Sequence, residues 1–295
     1  MNQMDGIWIA MVTPFHQGAL DLKAAQNLAV HLREQDADGL VLCGTTGEAP
    51  ALSLSEQLSL LHAVREAVGP DFPLMQGVGS SNTAEAIATL RHFDAEPLTG
   101  ILLTVPYYVR PSQDGIRQHF EAAAAATQQN LAIYNIPYRT GINMQIDTMR
   151  ALCANPQFIA IKESGGGDLE QLSDLIETTP LSVMCGEDNL IFVAACLGAP
   201  GAISAAAHIR PDLYAAMFRL IRRGEIDTAR TIARQLRPFI QALFAEPNPA
   251  PVKAALAMQG LLHNELRLPM SPATPACRAR VERLLEEVMA LPRHP

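Results

Sequence analysis

Short apolar runs recur along the first three quarters of the chain, separated by longer segments in which apolar residues have helical spacing. The runs are rich in β-branched residues and are apolar throughout rather than alternating, which is typical of strands covered on both faces. The pattern predicts eight strands. They span Ile7–Val12, Gly39–Cys43, Leu74–Val78, Gly100–Val105, Leu131–Asn135, Phe158–Ile161, Ser182–Cys185 and Gly201–Ser204.

Eight consecutive strand–helix units favour an α/β fold, the (β/α)8 TIM barrel. The intervening helices have readable starts. Ser53 and Asn82 each precede a glutamate by three residues, which is capping-box spacing, and Ser112 suits the next N-cap. A doubly wound open sheet is the main structural rival, but the GxGxxG motif of that fold does not follow the first strand. We therefore expect a closed barrel.

The strand pattern stops after about Arg223, and three helical stretches follow, separated by proline-bearing loops. They span Ile226–Ala245, Val252–Leu262 and Pro275–Leu291. The chain therefore predicts a catalytic barrel over residues 1–224 and a C-terminal helical domain, a three-helix extension, over residues 225–295. The 18-residue apolar run Leu190–Ala207 contains the turn Gly198–Gly201, which predicts a short helix and a strand rather than a membrane span.

Composition narrows the choice of partners and compartment. The chain is 48% hydrophobic and 18% charged, with a net charge of −8, so its field repels nucleic acid and anionic membrane. We expect neither as a partner. The five cysteines form no CxxC pair and are typical of reduced core thiols, and no basic leader precedes Asp5. These features predict a cytoplasmic protein.

Lysine is rare in this chain, with three residues against nineteen arginines. Lys162 directly follows the apolar run Phe158–Ile161, and a lysine in an apolar setting can become an amine nucleophile, which arginine cannot. The plainer interpretation is a lysine at a strand end that pairs with a carboxylate. Lys23 and Lys253 lie on predicted helices, where a solvated or pairing role is expected.

The reactive groups of a TIM barrel lie where its strands end. Four strand ends carry chemistry here: Gly44–Glu48, Pro106–Pro111, Tyr134–Gly141 and Lys162–Gly165. They supply an amine, phenols, hydroxyls beside glycine-flanked amides and a guanidinium. An amine condenses with a ketone to an imine, and the derived enamine attacks an aldehyde, with hydroxyls moving protons and without a metal or cofactor.

Each of these groups also has a structural interpretation. The tyrosines could be core aromatics whose hydroxyl groups reach solvent. Arg139 could be a cation on the surface, and Glu48 could cap a helix or form a structural ion pair. The glycine–threonine turn is common, and Gly165–Gly167 suits a turn before a helix better than a phosphate cradle.

Several motifs in the same order resemble the dihydrodipicolinate synthase branch of the dihydrodipicolinate synthase / N-acetylneuraminate lyase superfamily, nearly end to end. The matching segments are Gly44–Pro50, Pro106–Tyr108 with Arg110–Gln113, Tyr134–Pro137 with Arg139–Gly141, Ile161–Glu163, and Glu246–Pro249 with Pro251–Lys253. The resemblance implies a class I aldolase-like barrel that uses pyruvate.

The resemblance also implies catalytic roles for four residues. Lys162 would form the Schiff base with pyruvate, and Tyr134 would act as general acid and base over the imine. Thr45 would link Tyr134 to Tyr108 in a proton relay, with Tyr108 reaching in from a neighbouring subunit. This shared tyrosine fits the dimer of dimers, a homotetramer, that is common in the family.

Substrate binding is implied for a second set of residues. Thr45 and Thr46 would hold the pyruvate carboxylate, and Arg139 would bind the carboxylate of the second substrate, L-aspartate-4-semialdehyde. Gly186 and Ile203 would line the pocket through their backbones.

The chain departs from the family pattern at several positions. Val109 replaces a frequent asparagine, Tyr138 replaces a small residue beside Arg139, and Ser204–His208 differs from the usual Ser-Val-Thr-Ala-Asn. At the feedback site of lysine-inhibited members, Leu54 and Gln57 stand where some members have histidines, whereas Glu85 and Tyr107 are kept. We predict weak or absent inhibition by lysine.

Three hypotheses follow. The first is condensation of pyruvate with L-aspartate-4-semialdehyde to 4-hydroxy-tetrahydrodipicolinate, in lysine (diaminopimelate) biosynthesis, by a lyase. The second is a pyruvate-dependent aldolase or dehydratase for another 2-keto acid, which Tyr138 and His208 favour. The third is a non-catalytic binding barrel. The presence of the complete catalytic set argues against it: Lys162, Tyr134, Thr45 and Tyr108.

Overall fold

The computed structural model describes residues 4–294. The strands are β1 Gly6–Ala10, β2 Phe15–His16, β3 Ala19–Leu20, β4 Gly39–Leu42, β5 Leu74–Val78, β6 Gly100–Thr104, β7 Leu131–Asn135, β8 Phe158–Glu163, β9 Ser182–Cys185 and β10 Gly201–Ser204. The helices are α1 Leu22–Glu34, α2 Leu54–Val68, α3 Thr83–Arg91, α4 Gln113–Ala124, α5 Pro137–Thr140, α6 Ile146–Leu152, α7 Leu169–Thr178, α8 Ile191–Cys196, α9 Pro211–Arg222, α10 Ile226–Leu243, α11 Ala250–Met258 and α12 Pro275–Met289.

The eight predicted strands form a closed barrel in the order β1-β10-β9-β8-β7-β6-β5-β4. This confirms the TIM barrel and its C-terminal helices, and the predicted strand bounds differ from the observed ones by at most two residues. The apolar runs succeeded as a guide because barrel strands are buried on both faces. The antiparallel pair β2–β3 was not predicted, since two-residue strands are too short to leave a pattern.

The chain divides into two compact units. One contains Met4, Asp5 and Pro73–Ile203, and the other contains Gly6–Phe72 and the chain from Ser204 onward. The predicted division at residue 224 stays a prediction.

In the first unit, strands β5 to β10 are parallel neighbours in sequence order. The register of β7 against β8 pairs Tyr134 with Lys162 and Asn135 with Glu163. Alternate residues of a strand point to opposite faces, so these two pairs have different surroundings although they are adjacent in the chain.

In the second unit, β1 and β4 are parallel, with Trp8 opposite Gly39. A side chain at position 39 would begin 2.5 Å from the Trp8 ring, so the indole fills the space that this glycine leaves. Helices α9, α10, α11 and α12 follow, and the amphipathic α10 buries Ile232, Leu236 and Phe239 on one side.

The predicted N-caps begin α2, α3 and α4. At Ser53 both bonds of the capping box form: the hydroxyl accepts from the Glu56 amide at 3.3 Å, and the Glu56 carboxylate accepts from the Ser53 amide at 2.9 Å. At Asn82 only the first half forms: the Asn82 Oδ1 accepts from the Glu85 amide at 3.4 Å, whereas the Glu85 carboxylate accepts from the Ser80 hydroxyl.

The run Leu190–Ala207 folds as predicted into α8, a turn and β10, and within residues 4–294 no helix is long and apolar enough to cross a membrane. Within residues 4–294 none of the five cysteines forms a disulfide. The prediction of core thiols is wrong for Cys196, which is exposed, and Cys153 is half-buried. Cys196 is the last residue of α8, whose buried residues are Ile191, Ala194 and Ala195.

Candidate active site

Lys162 and Tyr134 form the centre of the candidate site in the first unit. Lys162 lies within β8, which runs two residues beyond its predicted end, and its Nζ lies 4.3 Å from the centroid of the Tyr134 ring. The two residues are 7% and 5% exposed. Within residues 4–294 the Lys162 amine makes no hydrogen bond and no ion pair. The plainer interpretation, a lysine that pairs with a carboxylate, therefore does not describe Lys162.

On the opposite face of the same strands, Asn135 and Glu163 form a buried polar pair. The Asn135 Nδ2 donates to both Glu163 carboxylate oxygens, at 3.0 and 3.1 Å, and the Gln171 amide adds a bond at 3.3 Å. Burial raises the pKa of Glu163 to about 7, although these donors oppose the shift. The pair ties β7 to β8 one residue beyond Tyr134 and Lys162, a role that the strand pattern did not reveal.

Gly186 follows β9 and touches the lysine stem. A Cβ at this position would lie 2.1 Å from the Ser164 Oγ and 2.9 Å from the Lys162 Cε, while the Gly186 amide donates to the Glu163 carbonyl at 2.8 Å. The backbone here approaches Lys162 as closely as glycine permits. Ile203, the other proposed backbone lining residue, is buried on β10.

Glu187 was missed by the sequence analysis. Its Oε1 is buried and has no hydrogen-bond partner within residues 4–294. Burial raises the pKa of this carboxyl, and Asp188 adds to the shift, whereas the positive charge of Lys162 lowers it. The Lys162 amine thus lies in the field of one carboxylate without forming an ion pair with it. Its position in the sequence, directly after the proposed pocket residue Gly186, could have indicated that Glu187 lies near the site.

Tyr108 is not packed against the buried pair. Its side chain is 89% exposed, and its backbone has a φ of 70°, a conformation that is rare for residues other than glycine. Tyr107 and Val109 are also exposed, so this loop presents three apolar or aromatic groups to solvent in the single chain. A loop of this kind is typical of a surface that a partner covers.

Arg139 lies on the short helix α5, and its guanidinium lies 5.5 Å from the centroid of the Tyr138 ring. Both side chains are exposed. Within the described chain Arg139 has no carboxylate partner, so its planar fork is available to an anion. The bulky Tyr138 lies directly beside it.

Thr45 and Thr46 belong to a tight turn of the second unit, after β4. The Gly47 amide donates to the Gly44 carbonyl at 3.1 Å, and the Glu48 amide donates to the Thr45 carbonyl at 3.2 Å. Thr46 is buried and Thr45 is half-buried. The turn therefore carries two hydroxyl-bearing residues in succession.

Glu48 pairs structurally, as one interpretation of the sequence had it, and its partner is Lys253. The Lys253 Nζ lies 2.5 Å from the Glu48 Oε1, and both side chains are buried. Lys253 is thus more deeply buried than Lys162. The helical sequence around Lys253 did not indicate this burial. Burial lowers the pKa of Lys253, and the Glu48 charge opposes that shift.

His208 has a structural role in the second unit. It is fully buried, its Nε2 accepts from the Val12 amide at 3.1 Å, and its Nδ1 lies 2.7 Å from the Ala205 carbonyl, to which it donates. Burial lowers the pKa of this imidazole to about 4. With both nitrogens bonded to backbone, His208 gives no support to a different second substrate.

Comparison with known proteins shows the family to which the chain belongs. Residues 3–288 match the model of the "Dihydrodipicolinate synthetase family". A "4-hydroxy-tetrahydrodipicolinate synthase" of Cyanothece sp. is 40% identical over 295 residues, which are 99% of this chain and 100% of that protein.

Two solved structures extend the likeness to the fold. The 4-hydroxy-tetrahydrodipicolinate synthase of Methylacidiphilum fumariolicum is 38% identical with a TM-score of 0.93, covering 97% of this chain and 96% of that one. The lysine-bound enzyme of Cyanidioschyzon merolae is 33% identical with a TM-score of 0.94, covering 97% and 99%. The chain therefore belongs to the dihydrodipicolinate synthetase family.

Proposed function

We propose that the protein is a lyase, a 4-hydroxy-tetrahydrodipicolinate synthase, that condenses pyruvate with L-aspartate-4-semialdehyde in lysine (diaminopimelate) biosynthesis. The observation that carries the proposal is the buried Lys162 amine, which has no ion pair within residues 4–294 and lies 4.3 Å from the Tyr134 ring. The choice of reaction is supported by relatives of this chain that are named 4-hydroxy-tetrahydrodipicolinate synthase.

In the first half of the reaction, the Lys162 amine attacks the C2 carbonyl of pyruvate, and loss of one water gives an imine. The imine withdraws electrons from C3, so that a proton leaves C3 and an enamine forms. Tyr134, whose ring contacts Nζ, moves these protons together with Thr45 and Tyr108. Thr45 and Thr46 hold the pyruvate carboxylate, and the backbones of Gly186 and Ile203 line the site.

In the second half, the enamine carbon attacks the aldehyde and forms the new carbon–carbon bond, and the aldehyde oxygen takes a proton to become the hydroxyl. The amino group of the semialdehyde then replaces the Lys162 amine at the imine carbon, which closes the ring and frees the enzyme. Arg139 binds the carboxylate of the semialdehyde. The proposed chemistry uses no metal and no cofactor.

The proposal includes a homotetramer, a dimer of dimers, in which Tyr108 enters the site of a neighbouring subunit. The exposed phenol of Tyr108, its left-handed backbone and the exposed Tyr107 and Val109 support this. A cytoplasmic location is also proposed, supported by five cysteines that form no disulfide within residues 4–294.

One observation favours a second candidate, a pyruvate-dependent aldolase or dehydratase for another 2-keto acid. Tyr138 places a bulky exposed phenol beside Arg139, at the proposed binding position of the second substrate. The shared step in both candidates is the imine on Lys162.

The test is reductive trapping. The protein is incubated with pyruvate and borohydride, and intact mass is followed by peptide mapping. The three lysines make the assignment unambiguous, and we expect one adduct, on Lys162. Lys162→Ala should abolish it, and Lys23→Ala, at an exposed position on α1, should leave it unchanged.

An adduct that persists in Lys162→Ala, or none in the wild type, would contradict the Schiff-base step. A panel of aldehydes then separates the two candidates. Turnover of a sugar-derived keto acid but not of the semialdehyde would favour the second.

A further inference from the structure

Asn248 makes one side-chain hydrogen bond within residues 4–294, and it is to Thr46. The Asn248 Nδ2 donates to the Thr46 Oγ1 at 2.8 Å, across 202 residues of chain, while the Asn248 Oδ1 is buried without a partner. A hydroxyl that accepts from an amide keeps its own proton for another acceptor. This bond therefore fixes the Thr46 hydroxyl as a donor.

Lys253 holds the other end of the same turn. Besides its 2.5 Å ion pair with Glu48, its Nζ donates to the Glu265 carbonyl at 2.8 Å, and the second Glu48 oxygen accepts from the Arg267 amide at 3.2 Å. Glu48 has a φ of 53°, which residues other than glycine rarely adopt. A strained backbone of this kind persists when its surroundings hold it in place.

The middle of the turn is fixed from the inside. The Gly47 carbonyl accepts from the Thr13 hydroxyl at 2.6 Å, and a Cβ at Gly47 would lie 3.0 Å from both the Cys43 nitrogen and the Met11 oxygen. The turn is therefore closely packed on its inner side at Gly47, and the contacts of Thr46 and Glu48 hold it from the outer side.

Two of these outer contacts, from Asn248 and Lys253, come from one short segment that leads into α11 and forms its first turn. We propose that Asn248 and Lys253 are positioning residues, together a clamp that holds the Thr45–Glu48 turn so that its hydroxyls donate to a substrate carboxylate. The inference rests on the proposed function, in which Thr45 and Thr46 bind pyruvate. It assigns to the C-terminal helices a part in substrate affinity.

Asn248 is tested by a double-mutant cycle with Thr46. Asn248→Ala should raise the KM for pyruvate about tenfold, the effect of one lost polar contact, with kcat within about twofold. Asn248→Asp, of the same shape, accepts instead of donating and brings a negative charge, so its KM should rise further. In a Thr46→Val background the Asn248→Ala change should add nothing. An unchanged KM in both single variants, or full additivity, would overturn the assignment.

Lys253 is tested with Glu48. Lys253→Met leaves a buried carboxylate unpaired and can fail to fold. The double variant Lys253→Met/Glu48→Gln removes both charges and provides the folded comparison, checked by circular dichroism and melting temperature. We expect its KM for pyruvate to rise about tenfold while imine trapping at saturating pyruvate persists. Glu56→Gln, which breaks the partly exposed pair with Arg267, is the matched control and should keep the KM.

A folded double variant with the wild-type KM would refute the clamp. Borohydride trapping of the wild type is measured in parallel. A wild type that is not trapped by pyruvate refutes the proposed function, whereas a trapped wild type with unaffected variants refutes the clamp alone.

Discussion

Replacing Gly186 with alanine tests how closely the backbone confines the Lys162 side chain. The added Cβ would lie 2.1 Å from the Ser164 Oγ, 2.9 Å from the Lys162 Cε and 3.1 Å from the Glu163 carbonyl. The Ser164 hydroxyl can rotate away, but the lysine stem must move. A shift of about 0.5 Å or more brings the Lys162 Cε to the ordinary contact distance of 3.4 Å.

The size of the effect follows from that displacement. A misplacement of about 1 Å costs on the order of 100-fold in rate, and half of that distance about tenfold. We therefore expect kcat to fall about 10- to 100-fold, equivalent to about 1.4 to 2.7 kcal/mol in the barrier. Overpacking should also lower the free energy of unfolding by about 1 to 3 kcal/mol.

The assay separates the two contacts of the new methyl group. Imine formation with pyruvate is followed by borohydride trapping in a single turnover, and stability is measured by urea denaturation. The double variant Gly186→Ala/Ser164→Ala removes the 2.1 Å contact but not the 2.9 Å contact with Lys162. It should regain stability without regaining rate. A wild-type trapping rate in Gly186→Ala, or recovery of the rate in the double variant, would show that the lysine stem is not confined as described.

Three further predictions concern pH, the relay and regulation. His208 is held neutral in the fold with its pKa near 4, below its usual 6.5, so the stability it contributes is present above pH 6.5 and is lost as the pH falls towards 4. This shift corresponds to about 3 kcal/mol in the free energy of unfolding. When urea unfolding is measured at pH 7 and at pH 4.5, the free energy of unfolding should fall less in His208→Gln than in the wild type. Tyr108→Phe should lower kcat about 100-fold without changing the mass of the oligomer in solution, and an unaffected rate would exclude the phenol from the relay. Lysine should inhibit weakly or not at all, because the resemblance places Leu54 and Gln57 where some lysine-inhibited members have histidines; a saturable inhibition curve at physiological lysine would disprove this.

The barrel was predictable because its signal is local. Each strand is buried on both faces and therefore is apolar along its length, so β5, β7, β9 and β10 begin and end at their predicted residues. The continuation of β8 through Lys162 and Glu163 was not predicted. Charged residues break an apolar run, although here one enters the candidate site and the other is buried among amide donors.

The surroundings of the site were less accessible to sequence reasoning. The ion pair between Glu48 and Lys253 joins residues that are far apart in the chain, and no periodicity reports such a contact. The field of Glu187 on Lys162 likewise depends on how β8 and β9 are registered. Motif order and residue rarity pointed to Lys162, but the distinction between a free and a paired lysine required coordinates.

The burial of two of the three lysines limits how many side chains the aldehyde substrate can modify. An aldehyde condenses with any accessible amine, whereas guanidinium groups do not form such imines under the same conditions. Within residues 4–294, Lys253 is fully buried in its ion pair and Lys162 is almost buried, which leaves Lys23 as the exposed lysine amine. A protein that handles a reactive aldehyde thereby offers that aldehyde few places to attach, and side-chain adducts mapped after long incubation with the semialdehyde should be confined to Lys23 and Lys162.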